Sequence, residues 1–360
     1  MSSLFLWNLV IFNITYFHFP ETIFPGFFCL SVMRFRLYFQ APLFLLFVLL
    51  FQSRSVFAQY DAQLSQYMLA PGTFNPAAVG ENSDLNVSLI DRQQWIGIEN
   101  APKTFFLHAS IPFTFNNQRN GFGLILLKES IGLFSTQLFQ LQYAYKKKMF
   151  DGMFSLGVQG GLLQETFDAD NIYIPTSDYH SSSDASIPTG TLEGKIPDFS
   201  IGLWYGHKNY HAGLSVSHLL ETSIKLKAGS DGTDEKSYRT YASRTYYLTN
   251  GYNIALTNTL YRLEPSLLLK TDLTTWQLDL STKILYKDRF WGGLGYRWQD
   301  AIVVMAGIKL PQGLSIGYSY DISTSAVANF AGGSHEIFLG YTRKIGTETV
   351  SKKQKSVRIL

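Results

Sequence analysis

The chain has 360 residues, of which 46% are hydrophobic and 16% charged, with a formal net charge of +3. That length holds one large domain or two ordinary ones, and so small a charge argues against nucleic-acid binding, which needs a concentrated basic surface. The 21 Tyr, 28 Phe and 29 Gly beside few charges suit strands that meet lipid at aromatic girdles.

In chain order, residues 1–32 precede Met33 and read as an upstream extension or as an unusually long leader start. From Met33 the sequence MRFRLYFQAPLFLLFVLLFQSRSVFA carries two early Arg, the apolar run Leu43–Phe51 and small residues at Val56 and Ala58. This is the pattern of a secretory signal peptide over 33–58, with cleavage expected after Ala58. The apolar run is short for a transmembrane helix, and no later segment holds about 18 uninterrupted apolar residues. The single cysteine, Cys29, falls outside the expected mature chain, so neither disulfides nor thiolate chemistry is foreseen. Residues 59–83, rich in Pro, Asn and Gln, form a candidate lumen plug or a periplasmic docking arm.

From residue 84 the dominant period is two. In Gly313–Ser323, Leu314, Ile316, Tyr318, Tyr320 and Ile322 alternate with Ser315, Gly317, Ser319 and Asp321. In Thr274–Lys287, Trp276, Leu278, Leu280, Ile284 and Tyr286 alternate with Gln277, Asp279, Ser281 and Lys283. Such alternation marks half-buried strands. Runs of about ten residues ending in Tyr, Trp or Phe are longer than soluble strands usually are and match a tilted bilayer crossing. About fourteen such runs fit 84–344, an even number as bacterial single-chain barrels require. The expected fold is therefore an all-β transmembrane antiparallel barrel in the outer membrane of a Gram-negative bacterium. The long gaps 166–195, 221–240 and 323–334 follow runs five, seven and thirteen, all odd, so all three open on one side, the extracellular one.

No motif of catalytic strength is present. His211 and Ser215 share a strand face but stand about 13 Å apart along the strand. His207, His211 and His218 divide between both faces, which suits lumen and girdle roles better than a metal site. Asp168, Asp170, Asp178 and Asp184 lack the ligand spacing of a calcium loop. Gly121–Gly123 and Gly292–Gly295 lead into no helical pattern and carry no phosphate-loop Lys. No enzyme, cofactor or metal is expected. The tail 345–360 is basic, with Lys352, Lys353, Lys355 and Arg358, and reads as a solvated end or a periplasmic docking peptide.

Within DRQQWIGIENAPKT, the end of the first run and its loop, Trp95 suits a girdle and Arg92 and Gln94 a lumen or rim position. Pro102 suits the first residue of the next strand. Two segments closely resemble the PorP/SprF family of type IX secretion membrane proteins. They are QLSQYMLAPGTFNPAAVG (Gln63–Gly80) and RQQWIGIENAPKT (Arg92–Thr104), and the ending GSHEIFLGY (Gly333–Tyr341) resembles the family's terminal strand. The chain departs from the family in running on to Leu360 after that strand. The resemblance implies a non-enzymatic outer-membrane barrel that works with type IX secretion and gliding motility, supporting export or surface anchoring of a secreted adhesin. The implied partners are that adhesin, periplasmic secretion or motility components and outer-membrane lipid. The resemblance also makes Arg92, Gln93, Gln94, Trp95, Gly97 and Pro102 a candidate partner-binding patch at the external mouth. A porin or small-solute transporter is the alternative.

Overall fold

The computed structural model describes residues 61–81, 84–172, 188, 190–228 and 238–345. The proposed leader and most of the basic tail lie outside the described residues, as do Asp178 and Asp184 of the long loop. The strands are β1 (Asp84–Gln93), β2 (Lys103–Phe115), β3 (Gln118–Ile131), β4 (Phe134–Met149), β5 (Gly152–Asp168), β6 (Thr191–His207), β7 (Tyr210–Ser217), β8 (Ser223–Ala228) and β9 (Tyr238–Tyr241). They continue as β10 (Thr245–Tyr252), β11 (Ile254–Ala255), β12 (Tyr261–Thr271), β13 (Trp276–Tyr286), β14 (Phe290–Arg297), β15 (Ala301–Lys309), β16 (Leu314–Ser323) and β17 (Ser334–Lys344).

Every pairing is antiparallel, and β1 closes the sheet by pairing with both β2 and β17. The closing register sets Asp84 opposite Lys344 and Gln93 opposite His335. β10 and β11 both pair with β12 and form one interrupted wall strand. β8 and β9 form a hairpin that is not one of the wall strands and joins the wall where Leu192 pairs with Ala228. The wall is a closed barrel of 14 strands, as the period-two runs predict. Closure leaves no edge with unpaired backbone groups, which a bilayer does not tolerate.

The expected run 241–256 is divided: Tyr241 ends β9, and β10 and β11 are separated at Asn253, whose N–H donates to the Asn209 carbonyl. The expected gap 221–240 instead holds the β8–β9 hairpin, whose Ile224 and Leu226 pack on Leu163, Leu192 and Ile196. The turns at the opposite end are tight. Asn116 and Asn117, Phe150 and Asp151, and Lys287 and Asp288 all have positive φ, the backbone of a two-residue hairpin turn.

Side chains alternate as the sequence pattern requires. Leu280 and Ile316 point outward and are 42% and 39% exposed, while Ser281 points inward and is 8% exposed. Outward aromatics form two belts: Trp276, Tyr296 and Trp298 pack together at the long-loop end. Tyr261 packs on Tyr286, and Tyr210 on Tyr252, at the short-turn end. Amphipathic rings at both headgroup levels are the mark of a membrane barrel. Among the described residues no helix is long and apolar enough to cross a membrane.

Two outcomes follow. The protein will migrate faster unboiled than boiled in denaturing electrophoresis, because the closed sheet has no edge from which to unzip; identical migration contradicts the barrel. Arg placed at Leu280 or Ile316 will destabilise insertion by about 2–4 kcal/mol. Arg at the inward Ser315 will cost less, as urea titrations in lipid vesicles will show.

Candidate functional site

Residues 61–81 lie against the inward face of the barrel, and three groups of contacts position them. The first gathers charges. Arg92 of β1 and Glu336 of β17 are directly opposed across the closing seam. Arg92 donates to Asp321 of β16 at 2.8 Å and approaches Glu336 at 3.4 Å. Arg297 of β14 donates to Asp279 of β13 at 2.7 Å and to Asp321 at 2.9 Å. Arg92 and Arg297 are 1% exposed, and Glu336 is fully buried. Into this cluster the inner segment places Ser65. Its hydroxyl accepts from Arg92 at 2.7 Å and Arg297 at 3.1 Å and donates to Asp321 at 2.7 Å. The backbone N–H groups of Ser65 and Gln66 donate to the two Glu336 carboxylate oxygens at 2.7 and 2.8 Å.

The second group is steric. The segment Asn75–Gly80 runs along inward-facing glycines of the wall. A Cβ on Gly157 of β5 would sit 2.2 Å from the Ala77 nitrogen, and one on Gly121 of β3 would sit 2.2 Å from the Val79 carbonyl oxygen. Backbone lies directly on backbone there, which only glycine permits. The Asn75 side-chain amide donates to the carbonyls of Leu203 and Leu214, while its oxygen caps the Ala77 N–H at 2.9 Å. Ser215 donates to the Phe74 carbonyl at 2.6 Å, and Gln142 donates to the Gly72 carbonyl at 2.8 Å. Gln142, Gln159 and Gln140 then pass hydrogen bonds on to Asp198.

The third group lies at the long-loop end. His218, just after β7, bonds Asp61 through Nε2 and Asp198 through Nδ1, each at 2.9 Å. Tyr247 donates to the Asp61 carboxylate, and Lys270 donates to its carbonyl at 2.9 Å. Burial opposes ionisation of Asp61, but the His218 charge and hydrogen bond, then Tyr247 and Lys270, outweigh it and hold the carboxyl at about 2, below its ordinary 3.8. Burial likewise opposes a charged His218, and the two carboxylates overcome it and raise the imidazole well above its ordinary 6.5. Stability from Asp61 is present above its unfolded value and lost as pH falls through its folded one. That from His218 is complete below 6.5 and lost as pH rises through its folded value.

The opening stretch of the first loop is split by this geometry. Arg92 is inside, and its fork grips Asp321, Glu336 and Ser65. Gln93 faces outward and is exposed. Gln94 donates its N–H to the Pro102 carbonyl, continuing the strand pairing, and donates from its side chain to Gln63. Trp95 takes a left-handed backbone, φ 52°, with its N–H on Ser334. Gly97, at φ 100°, occupies the exposed loop tip. This loop is fastened to the β16–β17 loop through Ile96 and residues Gly332 and Gly333. The fastening brings exposed Ile96, Ile98 and Phe330 to one rim, with Phe330 77% exposed. Sequence reading did not single out these three, nor Arg297, Asp321 and Asp279. The second trio is signalled by charges at inward positions of otherwise outward-apolar strands.

Among the described residues no group of three His, Cys, Asp or Glu is arranged to hold a metal ion. Asp168 and Asp170 are used locally: Asn171 donates to Asp168, and the Gly190 N–H to Asp170. His211 stacks on Trp204 with ring centres 5.1 Å apart.

A closed barrel of 14 strands, aromatic at both rims and with a segment bonded across its lumen, defines an integral outer-membrane protein. The chain belongs to the family described as type IX secretion system membrane protein PorP/SprF, which matches residues 56–341. Like that family, it resides in the outer membrane as a component of type IX secretion. No curated protein matches it. Solved structures similar to it include the toluene transporter TodX of Pseudomonas putida, at 9% identity and TM-score 0.46, covering 77% of this chain and 93% of that one. A FadL homologue of Pseudomonas aeruginosa matches at 13% identity and TM-score 0.41, covering 75% and 92%. Likeness at that distance says nothing of what this chain binds.

The three motif-bearing segments thus meet in one buried cluster, and removing one partner of a buried ion pair commonly costs about 3–5 kcal/mol. Glu336→Ala and Arg92→Lys will release residues 61–81 to protease while the barrel remains heat-modifiable, since an ammonium cannot replace the planar fork. The contacts of Asp61 will be firmest between about pH 4 and the raised titration of His218, and cleavage near residue 61 will accelerate outside that window. Protection unchanged by pH, or unchanged in His218→Gln, contradicts this account.

Proposed function

We propose that this barrel is a non-enzymatic accessory of type IX secretion and gliding motility that supports export or surface anchoring of a secreted adhesin, and that residues 61–81 act as its plug. One observation carries the reading: the inner segment is bonded to strands on all sides of the lumen, from β1, β16 and β17 through β4, β6 and β7 to β10 and β12. A diffusion porin keeps its lumen wet and continuous. Here the centre is occupied by ion pairs and by backbone lying on backbone.

The two rims support different partners. At the short-turn end Arg119, Lys147, Lys148, Lys208, Arg289 and Lys344 lie in or beside the turns, a basic collar suited to an acidic periplasmic component. At the long-loop end Gln93, Trp95, Gly97 and Pro102 share a rim with Ile96, Ile98 and Phe330, and exposed apolar residues rimmed by polar ones suit a protein contact. In this reading the secreted adhesin meets that rim, and Arg92 acts from beneath by holding the plug.

Deleting the gene will remove the adhesin from the cell surface and leave small-solute uptake unchanged. Lost uptake with normal adhesin display would favour the porin and sink the proposal. Phe330→Ala and Trp95→Ala will lower adhesin retention while leaving the barrel heat-modifiable, as expected for aromatic anchors. Parallel loss of folding and retention would return both residues to a structural role.

A further inference from the structure

A cavity of about 310 Å³ opens inside the barrel near its long-loop end, between residues 61–74 and the strands around them. Its floor is Leu64, Tyr67 and Phe74 of the inner segment, and Phe106, Leu163 and Leu268 are among its apolar walls. Concave, largely apolar space with a few placed polar groups is the usual form of a small-molecule site. Its charged groups are mostly acidic. Asp61, Glu129, Glu165, Asp198 and Asp279 line the cavity, against the cations His218 and Lys270.

Most of these charges are already committed. Asp61 and Asp198 share His218, and Asp279 holds Arg297, while the Lys270 ammonium donates to the Asp61 carbonyl and keeps its charge within the cavity. Glu129 and Glu165 are different. The first accepts a hydrogen bond from Thr104 at 2.9 Å and the second one from Thr240. Among the described residues neither forms an ion pair. They are set in one row across the wall, because Glu129 pairs with Thr136 and Thr136 with Glu165. Two interstrand steps separate their backbones, roughly 10 Å, so one cationic group over Thr136 faces both carboxylates. Both are part-buried, and a cation arriving there gains charge-assisted hydrogen bonds that no described ion pair now supplies.

We infer that this cavity binds an apolar cation, a molecule with an aliphatic or aromatic body and an ammonium or guanidinium head. The walls take the body, and Glu129 and Glu165 take the head. A neutral molecule of the same shape gains the walls but leaves the carboxylates unpaired, and an anion is repelled.

The test uses the full mature chain in lipid nanodiscs, titrated calorimetrically with phenethylammonium, 2-phenylethanol and 3-phenylpropanoate. The cation is expected to bind saturably at one site, the alcohol about tenfold or more weakly, and the carboxylate not at all. Glu129→Gln and Glu165→Gln will each weaken the cation by about tenfold while the protein stays heat-modifiable. Leu163→Trp, which fills the space, will abolish binding of cation and alcohol alike. Equal affinity for alcohol and cation, unchanged affinity in both Gln variants, or no saturable binding by the native chain would each overturn the inference. Because binding is read on purified protein and adhesin display on cells, failure of either leaves the other standing.

Discussion

The structure depends on one carboxylate withdrawn from bulk solvent. Glu336 lies at the closing seam, fully buried, and is satisfied from two directions: by the Arg92 guanidinium across the seam and by two backbone N–H groups of the inner segment. Neither source suffices alone. Arg92 divides its hydrogen bonds among Glu336, Asp321 and Ser65, and an ionised group in a low-dielectric interior needs most of its lone pairs filled. The barrel wall therefore carries charges whose hydrogen bonding is completed by residues 65 and 66. The inner segment, lacking a sheet or long helix of its own, is in turn ordered only by the wall.

The same mutual dependence appears in the steric contacts. Gly121 and Gly157 would be weak points in a strand whose lumen was simply wet, since glycine loses the most conformational freedom on folding. With Val79 and Ala77 lying on them they become the places where the two chain segments approach most closely. Polar wall residues that resemble channel lining by composition, such as Gln140, Gln142 and Gln159, instead form a relay of amide hydrogen bonds from Gly72 to Asp198. At this level the lumen is a packed polar core.

Much of the wall was legible in the sequence because a strand facing lipid on one side and a core on the other must alternate. Leu280 against Ser281 and Ile316 against Ser315 show it directly. The parity of the long gaps also set which rim carries the loops. What periodicity does not encode is depth inside the lumen. Arg92 has the same signature whether it meets water at the rim or Glu336 in the interior, and only pairing register separates the two. The β8–β9 hairpin was concealed for another reason: its Ile224 and Leu226 alternate over only six residues, too few to stand out from a polar loop. Ser65 and Glu336 are 271 residues apart in the chain, and no local pattern can announce such a contact.

That separation orders events during biogenesis. The arm that fills the barrel is the first of the described segments to leave the ribosome, and the carboxylate that receives it sits on the last strand. Until β17 docks on β1, the arm has no acceptor for its Ser65 and Gln66 amides, and β17 has no relief for its acid. Sheet closure thereby completes the site that receives the arm. A chain interrupted anywhere before its final strand would present an unfilled, edge-exposed intermediate, distinguishable by folding machinery and proteases from the finished molecule.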